Sequence, residues 1–280
     1  MNLQTFSVSR SAGKAQPGRA TRILALLKQS VFSYRWLALL LILGLWQSIA
    51  IVVDIGLLPT PTQVIVAGWD LVASGLFFQE LGNSMVRILI GFGTAMLVGI
   101  IVGILMGSRR FWDEFFQDLV VLGLSLPGLI YALMSVMIFG LGLLAPVVAI
   151  LLAAYPFVAV NIREGVKAID KEFLDMSRVY FVGRWRVIRQ IILPSLLPFI
   201  MAATRVGFTI AWKVAVLTEV FGAASGIGYQ LRYNFQLFSM RTMIAWALLF
   251  GVVMLIIEYA ILVPSEKRFA RWRPKVKEVI

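Results

Sequence analysis

The chain has 280 residues, 60% of them hydrophobic and only 14% charged, with a mean hydropathy of +0.89. Soluble domains carry roughly 25% charged residues, so this composition excludes an ordinary water-soluble globule. The absence of Cys and His excludes disulfides, thiol chemistry, the usual zinc ligands and haem ligation by histidine, and the net charge of +12 has a ready source in the basic loops of membrane proteins rather than in nucleic-acid binding.

Residues 1–34 form a basic tail that, with Arg35 at its border, holds six cations and no acid. The first apolar run, 36–53, starts too late and runs too long for a cleaved signal segment. Asp54, Pro59 and Pro61 follow it, and the alternation of Val64, Val66, Leu71 and Val72 with polar residues predicts a short interfacial helix over 62–78. A second span, 88–106, opens at Arg87 and closes at Arg109 and Arg110; Asp113, Glu114 and Asp118 come next. Residues 119–162 contain no charge, which is too long for one span and enough for two, 119–139 and 143–162, with the turn at Gly140 and Gly142. Pro127 and Pro156 then lie inside helices, where neighbouring groups satisfy the freed carbonyls. The stretch 163–194 is polar. Spans 196–220 and 242–263 complete a membrane domain over 35–264, and 265–280 is a second basic tail.

Lys and Arg set the expected orientation. Twenty-one of them fall in the two tails, after the second span and in 163–194, against only Arg232 and Arg241 on the opposite side. Both termini are therefore expected in the cytoplasm, which needs an even number of spans and agrees with six.

The cytoplasmic stretch is patterned. Glu172, Asp175 and Arg178 share one helical face, and Phe173, Met176 and Tyr180 another. Gly183 interrupts. A second amphipathic stretch sets Val187, Ile188, Ile191 and Ile192 against Arg184, Arg186 and Arg189, and Pro194 is read as its end. This pattern fits either a helix–Gly–helix unit gripped by a cytoplasmic partner or a basic loop resting on lipid headgroups.

Run together, Asp175-Met-Ser-Arg-Val-Tyr-Phe-Val-Gly-Arg-Trp and Ile191-Ile-Leu-Pro194 resemble the EAA loop of ATP-binding-cassette importer permeases. Asp175 stands at the Glu position and Ser177 at the second Ala; Ile191, Leu193 and Pro194 match the ending. Phe181 occupies the position of the family's Gly, and a glycine appears two residues on, at Gly183. The resemblance extends over roughly 35–273 and is greatest to the nitrate, sulfonate and taurine group. Its further pieces are Ser84-x-x-Arg87 with Gly91, Pro127 with Phe139-Gly140-x-Gly142, Ala211-Trp212, Glu219, Gly226-Ile227-Gly228, and Glu266-Lys267-Arg268 with Trp272.

The resemblance implies an all-α membrane protein with six transmembrane helices, like a type I importer permease, with a cytoplasmic coupling helix between spans four and five. It implies a bacterial inner-membrane location, a second permease copy, a dimeric ATP-binding subunit on the cytoplasmic face, an external solute-binding protein and surrounding lipid, with no nucleic-acid partner. The chain has no phosphate-cradling Gly-x-x-x-x-Gly-Lys-Ser/Thr loop, so it is not itself the ATPase; the resemblance implies that ATP and Mg are used by the partner ATPase, and that this chain is a transport subunit that binds no cofactor rather than an enzyme. The loop 172–194 is the expected coupling element, through Glu172, Asp175, Ser177, Arg178, Phe181, Gly183 and Trp185. Phe181 is expected to pack its ring against the partner or the loop's second helix.

Charges within spans cost about 2.5–3.5 kcal/mol at mid-bilayer and face protein or water. Arg205 and Lys213 are read either as an attractive path for an anion or as structural charges, with Arg205 and Glu258 pairing or snorkelling toward the interface. Trp212 and Glu219 join them as pathway or gate candidates through the resemblance, and Arg87 and Glu258 as structural charges. The expected solute is a small anion such as nitrate, a sulfonate, taurine, bicarbonate or an organic acid. A stand-alone channel or secondary transporter is the alternative; such proteins show internal repeats, and none is evident.

Overall fold

A computed structural model describes residues 34, 37–52 and 58–269; most of both basic tails lies outside the described residues. The chain divides into two compact units, 1–61 and 62–280. The first holds the apolar helix α1, Leu37–Val52. The Trp46 indole N–H donates to the Pro59 carbonyl at 3.1 Å, tying the segment after α1 back to it.

The second unit is helical throughout its described residues. Its helices are α2 (Pro61–Ala73, which starts one residue before the unit), α3 (Leu76–Ser108), α4 (Arg110–Ser125), α5 (Gly128–Phe139), α6 (Leu144–Lys167), α7 (Lys171–Val179), α8 (Arg184–Val187), α9 (Leu193–Gly222), α10 (Ile227–Gln236), α11 (Met240–Ile257) and α12 (Val263–Phe269). Among the described residues, four continuous stretches are long and apolar enough to cross a membrane: Leu76–Ser108, Leu144–Lys167, Arg184–Gly222 and Met240–Glu266. A fifth crossing arises if α4 and α5 are one span. Together with the shorter α1, these account for the segments from which six spans are expected.

Three segments differ from expectation. The stretch 119–139 is not one straight helix, because α4 and α5 meet at 98°. Leu126 precedes Pro127 and is held extended at φ −76°, ψ 130°, the conformation that a following proline ring enforces. The Tyr131 hydroxyl donates back across the bend to the Gly123 carbonyl at 2.9 Å. The interfacial helix expected over 62–78 stops at Ala73, since Gly75 turns left-handed at φ 77° and α3 starts at Leu76, well ahead of Arg87. Nor does Pro194 end a helix. It follows a π-helical turn, Ile188–Ile192, and the helix runs on. Pro264 follows a second such turn, Glu258–Leu262. The wider i→i+5 winding absorbs the missing proline N–H and the ring's clash with the preceding turn.

The core is α3, α6 and α9. Along α3, Gly91, Ala95, Gly99, Gly103 and Gly107 recur near every fourth residue and let α6 come close. A Cβ at Gly91 would lie 2.8 Å from Ile150 Cβ, and one at Gly99 2.5 Å from Val158 Cβ. One at Gly107 would lie 2.5 Å from Val166 Cβ. The far side of α6 receives α9, where Gly165 lies under Phe199 and Gly207 under Val158 and Phe92.

Candidate coupling elbow and intramembrane charges

The α7–α8 elbow is built by end-capping. The Asp170 carboxylate accepts from the Glu172 backbone N–H at 2.9 Å, satisfying a donor at the start of α7. At the other end the Val182 N–H donates to the Ser177 carbonyl and the Phe181 N–H to that of Arg178, at 2.9 and 3.1 Å. This is a Schellman closure, and its left-handed residue, usually glycine, is Phe181 at φ 50°. Gly183, expected to supply the bend, has φ −57°, which any residue adopts.

Of the two places expected for the Phe181 ring, a partner or the loop's second helix, the second is not taken. The ring is 94% exposed, since the left-handed backbone throws it outward. Phe173, Met176, Tyr180 and Trp185 are exposed too, so the apolar face of α7 is uncovered among the described residues. Asp175 and Arg178 pair at 2.8 Å on the exposed face, Glu172 is exposed beside them, and Ser177 is buried with its hydroxyl on the Leu174 carbonyl. Between α7 and α8 lies an open groove of about 750 Å³, lined by Leu174, Ser177, Phe181, Gly183, Arg184 and Ile188 among others.

Beneath the elbow, Asp113 of α4 joins two cations of α6, Arg163 at 2.6 Å and Lys167 at 2.8 Å.

The charges of α9 divide into two groups. Arg205, Thr209 and Lys213 recur every four residues on one stripe. Arg205 pairs with Glu258 in the π turn and reaches Glu266 at 3.5 Å. Lys213 is exposed and has no hydrogen bond or ion pair among the described residues. It lies nine residues from Gly222, ~14 Å at 1.5 Å per residue, so it is deep within a hydrocarbon layer of ~30 Å if that helix end meets its boundary. Trp212 and Glu219, the other two pathway or gate candidates, are buried. Trp212 is 5% exposed and stacked on Phe250, ring centroids 4.0 Å apart. Glu219 is wholly buried and bound on both oxygens. Oε1 takes Arg87 at 2.8 Å, and Oε2 takes the Ser84 hydroxyl at 2.8 Å and the Gly228 N–H at 2.9 Å. Both side chains face the protein, not an open surface.

Ser84, Arg87, Glu219 and the Gly226–Gly228 run, distant in sequence, thus form one cluster. Sequence reasoning missed one further side chain of the cluster, Glu80, buried one turn before Ser84; the available signal was an acid in line with Ser84 and Arg87 on an apolar helix.

Buried charges on membrane-length helices, with an exposed amphipathic elbow between two of them, define a multi-pass helical membrane protein. Residues 95–268 match the model of the binding-protein-dependent transport system inner membrane component, and the chain belongs to that family. It is therefore the membrane-spanning permease subunit of an importer, a transport subunit and a multi-pass membrane protein. It is 27% identical to the putative aliphatic sulfonates transport permease protein SsuC of Bacillus subtilis (strain 168), over 86% of this chain and 89% of that one. It is 26% identical to the taurine transport system permease protein TauC of Escherichia coli (strain K12), over 85% and 89%. The nitrate import permease protein NrtB of Synechococcus elongatus is 26% identical over 67% and 71%. Among solved structures the fold is similar to the MetNI methionine ABC transporter in an inward-facing conformation, with TM-score 0.59 and 18% identity over 69% of this chain and 96% of that one. It is also similar to an amino acid ABC transporter, with TM-score 0.57 and 18% identity over 71% and 96%.

Proposed function

We propose that two copies of this chain form the solute pathway of an ATP-driven importer in the bacterial inner membrane, that the elbow over 172–194 grips a separate ATPase, and that the solute is a small anion. Solute would arrive on an external binding protein, and ATP and Mg would act only in the ATPase. The observation that carries the coupling role is Phe181, a 94% exposed aromatic on a left-handed backbone position. Such strain persists only where the surroundings or a partner require it, and an uncovered patch of large apolar side chains calls for a partner. Asp175 and Arg178 flank that patch, and truncating charged contacts in an interface costs about 2–5 kcal/mol when they are buried there.

The anion reading rests on the Arg205–Thr209–Lys213 stripe. An unpaired ammonium at Lys213 is costly against lipid and favourable against water and an anion, so this stripe is assigned to the space between the two copies. The sulfonate, taurine and nitrate relatives fit the same charge. Trp212 and Glu219 are left out of the pathway.

The test is purification of the tagged chain from its native membrane, followed by reconstitution. The expected preparation contains an ATPase and takes up nitrate, ethanesulfonate or taurine; uptake by this chain alone would sink the coupled reading. Asp175→Ala or Arg178→Ala is expected to insert normally and lose solute-stimulated hydrolysis. Lys213→Leu is expected to raise the KM for the transported anion. Unchanged anion uptake in Lys213→Leu removes the stripe from the pathway.

A further inference from the structure

The junction of α3 and α10 has nearly every polar group occupied. The N–H groups at the start of a helix have no partner inside it. At α10, those of Gly226, Ile227 and Gly228 go instead to Glu80 Oε2 at 2.6 Å, Ser84 Oγ at 2.9 Å and Glu219 Oε2 at 2.9 Å. Two of these acceptors lie on one face of α3 and the third on α9. The Gln230 amide, one turn into α10, adds a bond to Glu80 Oε1 at 2.9 Å. Arg87 spans the gap from α3, donating to Glu219, to the Ser225 carbonyl at 2.7 Å and to the Ser225 hydroxyl at 2.8 Å. Arg232, on α10, closes the other side by donating to the Val220 and Ala223 carbonyls at 3.1 and 2.9 Å.

The backbone is pressed into this cluster. A Cβ at Gly226, whose φ is 99°, would lie 2.6 Å from Glu219 Oε2 and 2.7 Å from Arg87 Nη1. One at Gly228 would lie 2.5 Å from Glu219 Cβ. Parting α3 from α10 and the end of α9 would break the bonds of Glu80 to Gly226 and Gln230, of Ser84 to Ile227 and Glu219, and of Arg87 to Glu219 and Ser225 at once, while the Gly228 N–H stays on Glu219. Glu80, Ser84 and Glu219 are buried, and a buried polar group left without a partner is costly. Within one chain, such a cluster resists opening far more than the surrounding apolar contacts do.

We propose that Glu80, Ser84, Arg87 and Glu219 are positioning residues for transport: they weld α10 and the end of α9 to α3, and the weld stays closed through the whole cycle. A load applied at α10 then reaches α3 and, through the close glycine packing, α6. The exposed Tyr233, Phe235, Leu237 and Phe238 at the far end of α10 are where such a load would enter. This role rests on the reading of the chain as the pathway subunit of an ATP-driven importer.

The chain has no cysteine, so nitroxide labels can be placed cleanly at Gln79→Cys on α3 and Gln236→Cys on α10, both exposed. Their separation within one copy is read by double electron–electron resonance in the complete complex, assembled with the labelled chain diluted into excess unlabelled chain, nucleotide-free and after trapping with ATP and vanadate. The expected result is one narrow distance, the same in both states. A distance that changes on trapping overturns the weld. Introducing Glu219→Gln, which keeps shape and removes charge, should broaden the distribution. It should also abolish the hydrolysis stimulated by the binding protein carrying nitrate, taurine or ethanesulfonate, with the unstimulated rate preserved. A purely structural role would lower both rates together, and that outcome, or wild-type stimulation, counts against the proposal. Should Glu219→Gln fail to assemble, Ser84→Ala removes one bridging hydroxyl and is read the same way, and the labelled wild-type background still decides whether the junction moves. A wild-type complex without an ATPase removes the functional reading and the weld's role with it. A complex that hydrolyses ATP while the labels move sinks the weld alone.

Discussion

Phe181 shows how one residue sets the shape of an interface. Schellman closures need a left-handed residue after the helix cap, and glycine takes that position without cost. A phenylalanine there carries about 1–2 kcal/mol of strain. The same arrangement ends α10, where Phe238 has φ 55° and the Ser239 and Phe238 N–H groups close on the Asn234 and Phe235 carbonyls. Phe181→Gly should release the strain at 181. Part of the gain is offset by the ~0.5–1 kcal/mol that glycine's extra unfolded-state entropy removes, leaving a net stabilisation of the elbow of up to about 1 kcal/mol. Hydrogen exchange over 176–184 is expected to slow in Phe181→Gly and not in Phe181→Ala, which keeps the strain. In reconstituted complexes both variants are expected to lose solute-stimulated hydrolysis, because both lack the ring. Faster exchange in Phe181→Gly would mean that the ring packs on something other than an external partner. The missing glycine at 181 was legible in the sequence. Its consequence was not, because Gly183 offered itself as the bend and only the closing hydrogen bonds show which residue carries the positive φ.

At the scale of helices, the sequence places the apolar runs well and their ends poorly. Hydrophobicity records what lipid requires and says little about where a helix stops. So α3 begins twelve residues before the expected start of the second span, at 88, and the α8–α9 helix passes through Pro194. The bend at Pro127 escaped because proline is tolerated inside membrane helices, as Pro156 is in α6. The ion pair between Arg205 and Glu258 was legible from charge alone; the Glu80–Arg87–Glu219 cluster was not, since it joins segments more than 130 residues apart. Packing along α3 gives a sharp internal comparison. Gly99 has Val158 Cβ 2.5 Å from where its own Cβ would be, whereas Gly93, in the same helix, has nothing within 4 Å. Gly99→Val is expected to force α3 and α6 apart and destabilise by about 1–3 kcal/mol or more, read as a lower melting temperature of the protein in detergent. Gly93→Ala is expected to be neutral or stabilising by up to ~1 kcal/mol, as for alanine in a helix interior. Equal losses in the two variants would show that the small-residue stripe is not the contact that holds the helices together.

For the whole molecule, one helix fixes the arrangement of the two functional ends. Arg184–Gly222 is continuous over 39 residues, ~58 Å at 1.5 Å per residue, which exceeds a ~30 Å hydrocarbon layer with its interfaces. The elbow at one end and the welded loop at the other are therefore expected on opposite sides of the membrane. The sign of the arrangement comes from charge: 163–189 carries seven Lys and Arg, and the chain from Ala223 to Ile257 only two, so the elbow should face the cytoplasm. Single cysteines can report this directly, because the native chain has none to mask them. Gly183→Cys lies in the elbow and Gln236→Cys at the exposed end of α10. In intact spheroplasts a membrane-impermeant maleimide is expected to label Gln236→Cys and not Gly183→Cys. Permeabilisation should then open Gly183→Cys to the same reagent. Labelling of Gly183→Cys from outside would invert the protein, remove the elbow from reach of any cytoplasmic ATPase, and leave the exposed Phe181 ring in need of an external partner instead.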